Sequence, residues 1–227
     1  SVVESVEKPG LYRSICAGGT RQMLEAAENA GVRRLIHAGS CSVYGDAPPP
    51  ISEDAPTSPT SPYAAAKLEA EEHCREFARG GRLETACPRF FNVYGPRQRA
   101  DSPYAGVIAI FAAMAARGET PVIFGTGEQT RDFIHVADIV NGLLLAGIAG
   151  DVGGGQPINL GSGRATSILE LTAFLGCGVP RHEPARQGEI LHSSADPSLA
   201  RRVLGFKSAV ELEAGLQDPS LRHSGEG

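Results

Sequence analysis

The feature that most constrains this chain is the alternation of short apolar strands with amphipathic helices. Apolar residues recur at helical spacing over 18–30, and the next run, 33–40, is short and apolar like a buried strand. This alternation predicts an α/β protein with a mainly parallel sheet. Further helices are predicted over 63–79, 105–117, 136–146, 167–176 and 197–204, and further strands over 83–91, 121–124 and 157–160.

From about residue 97 onward the alternation becomes less regular. We therefore predict that 1–96 forms part of the sheet domain and carries the candidate catalytic residues. The segment 97–216 is predicted to be mainly a smaller lobe with returning sheet elements, and 217–227 a polar tail. Loops are predicted over 46–60 and 147–155, and a turn over 92–96.

Composition excludes several classes of protein. The net charge of -5 argues against a nucleic-acid partner, because proteins that bind nucleic acids usually carry a basic excess. No apolar run reaches the roughly 18 residues that cross a membrane, and the start of the chain has no signal-peptide pattern. Five widely spaced cysteines without a C-x-x-C pair predict reduced thiols and no metal site. We therefore expect a cytoplasmic protein.

A tyrosine and a lysine stand one helical turn apart in the segment Y-A-A-A-K. On a helix, Tyr63 and Lys67 lie on the same face. A phenol with a pKa of about 10 is a poor base at pH 7, and lowering it by roughly 3 units requires about 4 kcal/mol. An ammonium about 6 Å away supplies about 3 kcal/mol at an effective dielectric near 20. The pair is a candidate general base, and the alternative is an ordinary helix with a surface lysine.

Two hydroxyl groups follow the strand predicted over 33–40. Ser40 and Ser42 belong to the segment S-C-S-V-Y-G. A hydroxyl at the carboxyl end of a parallel strand points into the crevice where ligands bind in such folds. Ser40 is thus a candidate to bond a substrate hydroxyl and to share a proton with Tyr63. The alternative is that both serines only satisfy a turn.

Four motifs in order carry a family resemblance. They read H-A-G-S-C-S-V-Y-G, S-P-Y-A-A-A-K, R-F-F-N-V-Y-G-P-R-Q and G-T-G-E-Q-T-R-D-F-I-H-V-A-D. Together they resemble the extended short-chain dehydrogenase/reductase family, in its NAD-dependent epimerase/dehydratase branch, and most of all the UDP-glucose or UDP-N-acetylglucosamine 4-epimerases. The resemblance runs from Ser1 to about Leu216. It implies a Rossmann-like sheet with a small C-terminal substrate-binding lobe.

The resemblance implies catalytic and cofactor-binding roles. Ser40, Tyr63 and Lys67 resemble the family's catalytic residues. Lys67 would lower the pKa of Tyr63 and hold the nicotinamide ribose of NAD, so Tyr63 and Lys67 are also the predicted cofactor-binding residues. The helices over 18–30 and 63–79 would form the contact of a homodimer.

The resemblance also implies a substrate, a UDP-sugar. Ser40, Ser42 and Asn92 would line the sugar site. Arg131 and Arg186 resemble the arginines that hold the diphosphate, since a guanidinium offers a planar fork of donors. The alternative for either arginine is a surface salt bridge.

Two positions bear on the reaction type. Hexose 4,6-dehydratases resemble this sequence but carry an Asp-Glu pair where this chain has Cys41 and Ser42. Neither residue can replace a carboxyl acid and base, so epimerisation at C4, by hydride abstraction and return through a 4-keto sugar, is favoured over dehydration. A decarboxylase or reductase of the same family is the close alternative. A small Ser193 would leave room for an N-acetyl group.

The chain departs from the family in its cofactor segment. The family's strand, G-x-x-G-x-x-G turn and helix do not appear ahead of Ser1, so we expect an N-terminal NAD-binding segment to be missing. Gly147, Gly150 and Gly153 have the right spacing but follow a predicted helix, whereas the motif needs a strand before it. Cys16 stands where the family usually has Asn. These departures keep open a second interpretation, an inactive truncated fragment.

Overall fold

The computed structural model describes residues 1–102, 105–185 and 190–221, and it confirms the α/β fold. The helices are α1 (Val2–Glu7), α2 (Pro9–Arg13), a π-helical turn (Ser14–Gly18), α3 (Gly19–Asn29), α4 (Pro62–Arg79), α5 (Val107–Ala116), α6 (Val136–Ile148), α7 (Ile168–Phe174), α8 (Ser198–Leu204) and α9 (Leu212–Gly215). The strands are β1 (Arg34–Ile36), β2 (Gly39–Ser40), β3 (Glu84–Phe90), β4 (Asn92–Tyr94), β5 (Val122–Phe124), β6 (Thr130–His135), β7 (Gly154–Leu160), β8 (Ala165–Ser167) and β9 (Arg181–Glu183). Short 3-10 turns span Cys41–Tyr44 and Pro219–Leu221.

The main sheet is parallel and centred on β3. Strands β1 and β2 both pair with β3, which on its other side pairs with β7. The strand predicted over 33–40 is thus divided into two pieces that follow one another along β3. Among the described residues, no strand pairs with the outer edge of β1.

Helices cover both faces of this sheet. On β3, Cys87 packs with Leu24 of α3 and Cys74 of α4. The neighbouring residue Ala86 packs with Ile139 of α6 on the opposite face. Successive side chains of a strand point to opposite faces, so one strand contributes to both apolar layers. This arrangement is expected for a mainly parallel sheet.

The smaller lobe has a core of its own. Its buried apolar residues come from α5, α7, α9 and the strands β4, β5 and β6, and they include Phe111, Ile123, Phe133 and Leu171. Helix α7 begins with a capping box, in which Ser167 Oγ accepts from the Glu170 amide and the Glu170 carboxylate accepts from Ser167. The division of the chain at residue 96 stays a prediction.

Several predicted elements differ from the structure. The predicted turn over 92–96 is wrong in part, because Asn92–Tyr94 forms β4, which pairs in parallel with β6. The loop predicted over 147–155 is shorter, since α6 continues to Ile148 and β7 begins at Gly154. Strand β6 was not predicted. A buried strand is predicted from a run of apolar residues, whereas the sequence of β6, T-R-D-F-I-H, contains the buried acidic residue Asp132.

The described ranges contain neither a membrane-spanning helix nor a cluster of metal ligands. No helix there is long and apolar enough to cross a membrane. No group of three or more His, Cys, Asp or Glu side chains in those ranges is arranged to hold a metal ion.

Candidate active site

Helix α4 presents Tyr63 and Lys67 on one face. The helix begins with Pro62 after Ser61, whose Oγ accepts from the amide of Ala64 at 3.1 Å and so caps the first turn. The Lys67 Nζ atom lies 6.0 Å from the centre of the Tyr63 ring. The predicted juxtaposition of phenol and ammonium is therefore present in the structure.

Ser40 is placed at the carboxyl end of β2, as expected. Its Oγ accepts from the amide of Ser42 at 3.2 Å, and the two serine Oγ atoms lie 2.9 Å apart. The Ser40 side chain also lies close enough to the Tyr63 hydroxyl to act on its pKa. The serines thus satisfy a turn and also place hydroxyls near the phenol, and the bond from Ser40 to a substrate stays a prediction.

Burial shifts the pKa values of Tyr63 and Lys67. Burial raises the pKa of Tyr63, and the nearby Ser40 side chain acts in the opposite direction. Burial also lowers the pKa of Lys67, whose ammonium donates to the carbonyl of Ala38 at 2.8 Å. The pKa of Tyr63 is raised chiefly because burial removes water from the phenolate. The lowering of this pKa by Lys67 stays a prediction.

Two adjoining cavities lie between Tyr63 and Arg131. A cavity of about 430 Å³ is lined by Tyr63, Asn92 and Val107, among others. A second cavity of about 430 Å³ shares Asn92 and Val107 with the first and reaches Arg131 and Phe124. The two cavities adjoin at these shared residues, and together they are called the cleft. Asn92 donates from Nδ2 to the carbonyl of Asp132 at 3.2 Å, which fixes its amide at the junction.

Arg131 is held at the far end of this cleft by strand β6. Its Nη1 donates to the carbonyl of Thr130 at 2.8 Å and lies 3.4 Å from the carbonyl of Leu191. The next residue, Asp132, is fully buried. The second predicted arginine, Arg186, lies outside the described residues.

Asp132 ties the lobe to the end of β7. Its carboxylate accepts from the amide and hydroxyl of Ser162 at 2.8 and 2.6 Å, from the amide of Gly163 at 2.9 Å and from the amide of Ala195 at 3.0 Å. Burial raises the pKa of Asp132, and these four bonds oppose that rise. Sequence reasoning missed this residue, although an acidic side chain amid apolar ones in a motif is a recognisable signal.

Sequence reasoning also missed Gln98. Its side chain lines the Tyr63 end of the cleft, and its Oε1 atom is buried with no hydrogen-bond partner among the described residues. It is the last residue of the motif R-F-F-N-V-Y-G-P-R-Q, in which Asn92 is the predicted site residue. The predicted Ser193 is buried, and its amide bonds the carbonyl of Thr130 at 3.2 Å.

Comparison with known proteins decides the family. Residues 1–161 match the NAD dependent epimerase/dehydratase family. This chain belongs to that family. The family resemblance drawn from the four motifs is thereby confirmed, as is NAD as the cofactor of the family.

Members of the epimerase/dehydratase family with several activities resemble this chain. A UDP-glucose 4-epimerase of Mycolicibacterium smegmatis is 41% identical over 223 residues, which cover 95% of this chain and 70% of that protein. A crystal structure of a UDP-glucose 4-epimerase from Thermotoga maritima with UDP-glucose superposes with a TM-score of 0.92 at 35% identity, covering 98% of this chain and 74% of that one. A UDP-N-acetyl-alpha-D-glucosaminuronate decarboxylase of Bacillus cytotoxicus is 38% identical over 217 residues, covering 88% of this chain and 66% of that protein.

The residues of this epimerase/dehydratase chain fit one end of NAD. Tyr63 and Lys67 stand together near the end of β2, and their hydroxyl and ammonium are the groups that would hold the nicotinamide ribose. In the described ranges, no glycine-rich turn joins a strand to a helix in the way that binds a pyrophosphate. Gly147 lies inside α6, and Gly153 immediately precedes β7, so the glycines near residue 150 do not form such a turn.

Proposed function

We propose that this chain carries the catalytic and substrate-binding part of an NAD-dependent epimerase that inverts C4 of a UDP-sugar. The observation that carries the proposal is the pair of adjoining cavities, the first lined by Tyr63 and Asn92 and the second by Asn92 and Arg131. Its two ends match the two ends of a nucleotide sugar, a hydroxyl-bearing ring and an anionic diphosphate. The names of the M. smegmatis and T. maritima relatives support the same reaction.

In the proposed reaction Tyr63 takes the proton from the O4 hydroxyl of the sugar. Ser40 bonds the same hydroxyl and the phenol, and Ser42 extends this chain of hydroxyls. When bound, NAD supplies the acceptor and donor of the C4 hydride and a positive charge beside the phenol. Lys67 would hold the nicotinamide ribose and add its own charge.

The Arg131 end of the cleft would hold the diphosphate of the substrate while the sugar turns over. Arg131 and Arg186 would bind the diphosphate, and Asn92 would bind near the junction of the two cavities. Inversion requires the 4-keto sugar to present its other face, so the anchor must lie away from the reacting carbon. The separation of Arg131 from Tyr63 along the cleft is consistent with this requirement.

The groups next to Ser40 favour epimerisation over dehydration. Burial raises the pKa of the Cys41 thiol to about 12, so the thiol stays protonated at neutral pH. Ser42 is bonded to Ser40 and does not titrate in this range. Neither group can act as the acid and base that expel water from a sugar.

The test is incubation of the protein with NAD and either UDP-galactose or UDP-N-acetylgalactosamine, followed by proton NMR at C4. We expect inversion of at least one substrate, and the preferred substrate would identify the sugar. No inversion of either would rule out the proposed reaction. Loss of a carboxyl group or of water from the sugar would instead identify one of the other reactions of the family.

A second candidate is a nucleotide-sugar-binding chain without turnover. It is favoured by the unpaired outer edge of β1 and by the lack of a pyrophosphate turn in the described ranges. Calorimetry separates the two candidates. UDP binding with no detectable NAD binding and no inversion would select the second.

The helices α3 and α4 are also the surface on which we propose a homodimer. Met23 of α3 is 63% exposed, and Ile15 in the turn before it is equally exposed. Sedimentation equilibrium of the Met23→Glu variant tests this contact. We expect a shift from dimer to monomer, and an unchanged dimer would place the contact elsewhere.

A further inference from the structure

A carboxylate and a guanidinium are buried together next to the candidate catalytic residues. Glu71 of α4 and Arg89 of β3 have side chains that are 0% and 1% exposed. Arg89 Nε lies 3.0 Å from Glu71 Oε1, and Nη2 lies 2.6 Å from Oε2, which is a two-point contact. Arg75 Nη2 approaches the same carboxylate at 3.6 Å. The proposed reaction assigns no role to any of these groups.

On the helix side, Glu71 continues the catalytic face of α4. Tyr63, Lys67 and Glu71 follow one another at intervals of four residues, so their side chains are stacked along one side of the helix. Burial lowers the pKa of Lys67, and the negative charge of Glu71 acts against that lowering. Glu71 is thus an electrostatic neighbour of Lys67 as well as the partner of Arg89.

On the strand side, Arg89 lies beside the backbone that leads into Ser40. Gly39 is its register partner in the parallel pairing of β2 with β3. A Cβ atom at Gly39 would lie 2.9 Å from the carbonyl oxygen of Pro88, 3.2 Å from Glu71 Oε1 and 3.3 Å from Arg89 Cγ. The ion pair therefore packs closely against Gly39, the residue before Ser40, and leaves no space there for a side chain.

The guanidinium of Arg89 also contacts an aromatic ring, that of Tyr44. Arg89 Cζ lies 4.6 Å from the centre of the Tyr44 ring, within cation–π range. The Tyr44 hydroxyl donates to Asn159 Oδ1 at 2.7 Å, and Asn159 Nδ2 donates to the carbonyl of Ile51 at 2.9 Å. These bonds fix the ring, and with it the position of Arg89.

Stability alone does not account for this pair. Apolar residues of similar volume often replace a buried ion pair without loss of stability, because desolvation offsets much of the attraction. The contacts instead join α4, which carries Tyr63 and Lys67, to β3, the strand that pairs with the Ser40 strand β2. We propose that Glu71 and Arg89 are positioning residues that fix α4 against β3 and Gly39 and so set the placement of Tyr63 relative to Ser40. This proposal rests on the proposed function.

The test compares an apolar pair with a matched control. In the double variant Glu71→Leu/Arg89→Met, we expect a thermal midpoint and a UDP dissociation constant close to those of the wild type. We expect kcat for C4 inversion to fall at least about tenfold while KM changes little, because a misplaced base loses rate more than binding. The control is Thr85→Val, which removes another buried bond between the same elements, Thr85 Oγ1 to the carbonyl of Cys74 at 2.7 Å. It is expected to change stability but not kcat.

A second readout does not depend on turnover. With 3-fluorotyrosine in the protein, the fluorine resonance missing from Tyr63→Phe identifies Tyr63. The double variant should shift or broaden this resonance, and Thr85→Val should leave it in place. If the wild type does not invert the sugar, the proposed function fails, and the resonance still decides the positioning role.

The conservative variant Arg89→Lys covers the case in which the double variant does not fold. It keeps the charge but loses the planar fork, so we expect a smaller fall in kcat and a smaller shift of the Tyr63 resonance. A folded double variant or Arg89→Lys variant with wild-type kcat and an unmoved Tyr63 resonance would overturn the proposal.

Discussion

At the residue scale, the proposed chemistry depends on a phenol that the protein itself makes less acidic. Burial raises the pKa of Tyr63, and Ser40 offsets part of the rise. A base in this state needs a further positive charge before it ionises near neutral pH. The sequence predicted which groups would meet, because helical spacing fixes Tyr63 against Lys67. It did not predict the sign of the pKa change, because burial depends on residues distant in the chain.

Replacing Tyr63 with Phe tests its role as the proton acceptor. We expect turnover to fall by about 100-fold or more, the usual contribution of a general base, with UDP affinity within about twofold. Tyr12→Phe is the control. The centres of the Tyr12 and Tyr63 rings lie 6.3 Å apart, edge to face, and the substitution removes only the hydroxyl of Tyr12. Steady-state kinetics and calorimetry measure both quantities. Unchanged turnover in Tyr63→Phe would remove this residue from the mechanism.

His37 is expected to set part of the acid sensitivity of the fold. Burial, with a smaller contribution from Lys67, lowers the pKa of His37 to about 4. Below pH 6.5 the unfolded chain binds this proton and the folded chain does not. The free energy of unfolding therefore decreases as the pH falls from 6.5, by about 3 kcal/mol at pH 4.

The variant His37→Phe isolates this contribution, because it keeps a ring of similar size and removes the titration. Urea unfolding at pH 7 and pH 4 should show a smaller loss for the variant than for the wild type. Equal losses in the two proteins would show that His37 is protonated in the folded chain.

At the element scale, the periodic elements could be predicted and the irregular ones could not. Helices α3, α4 and α6 have clear apolar periodicity, and strand β3 is a continuous buried run. Strand β6 was missed because the buried Asp132, held by hydrogen bonds, interrupts its short apolar pattern. Helices α1 and α2 were missed because their apolar residues, among them Val3 and Val6, are largely exposed.

Replacing Asp132 with Ala should destabilise the lobe. The change leaves the donors of Ser162, Gly163 and the buried Ala195 without their acceptor, and we expect the free energy of unfolding to fall by about 3 kcal/mol. Asp196→Ala is the control, since its carboxylate is exposed and bonds only Ser198 among the described residues. We expect this substitution to lower the free energy of unfolding by about 1 kcal/mol. Chemical denaturation measures both. Similar small losses would mean that the loop at Ser162 is held by other contacts.

At the scale of the whole molecule, one helix carries an exposed apolar stripe. Val140, Leu144 and Ile148 lie on α6 at intervals of four residues and are 50%, 66% and 75% exposed. This helix packs on β1, whose outer edge pairs with no strand in the described ranges. An open strand edge beside an apolar stripe favours association between chains.

The triple variant Val140→Ser/Leu144→Glu/Ile148→Ser tests this consequence. We expect the 227-residue chain to associate increasingly with concentration and the variant to do so less, because the stripe becomes polar. Analytical ultracentrifugation over a concentration series is the measurement. UDP affinity serves as the control and should not change, since the stripe does not line the cleft. Identical association in both proteins would assign it to another surface.

The scarcity of lysine has a practical consequence for surface attachment. The chain has lysines only at positions 8, 67 and 207. Lys8 and Lys207 are exposed, whereas the ammonium of Lys67 is bonded to the carbonyl of Ala38 inside the fold. Amine-reactive resins and dyes will therefore have two exposed lysines to attach to, besides the α-amino group of Ser1. A sensor chip prepared in this way would hold the protein in few orientations, with the nucleotide cleft still free to sample ligand.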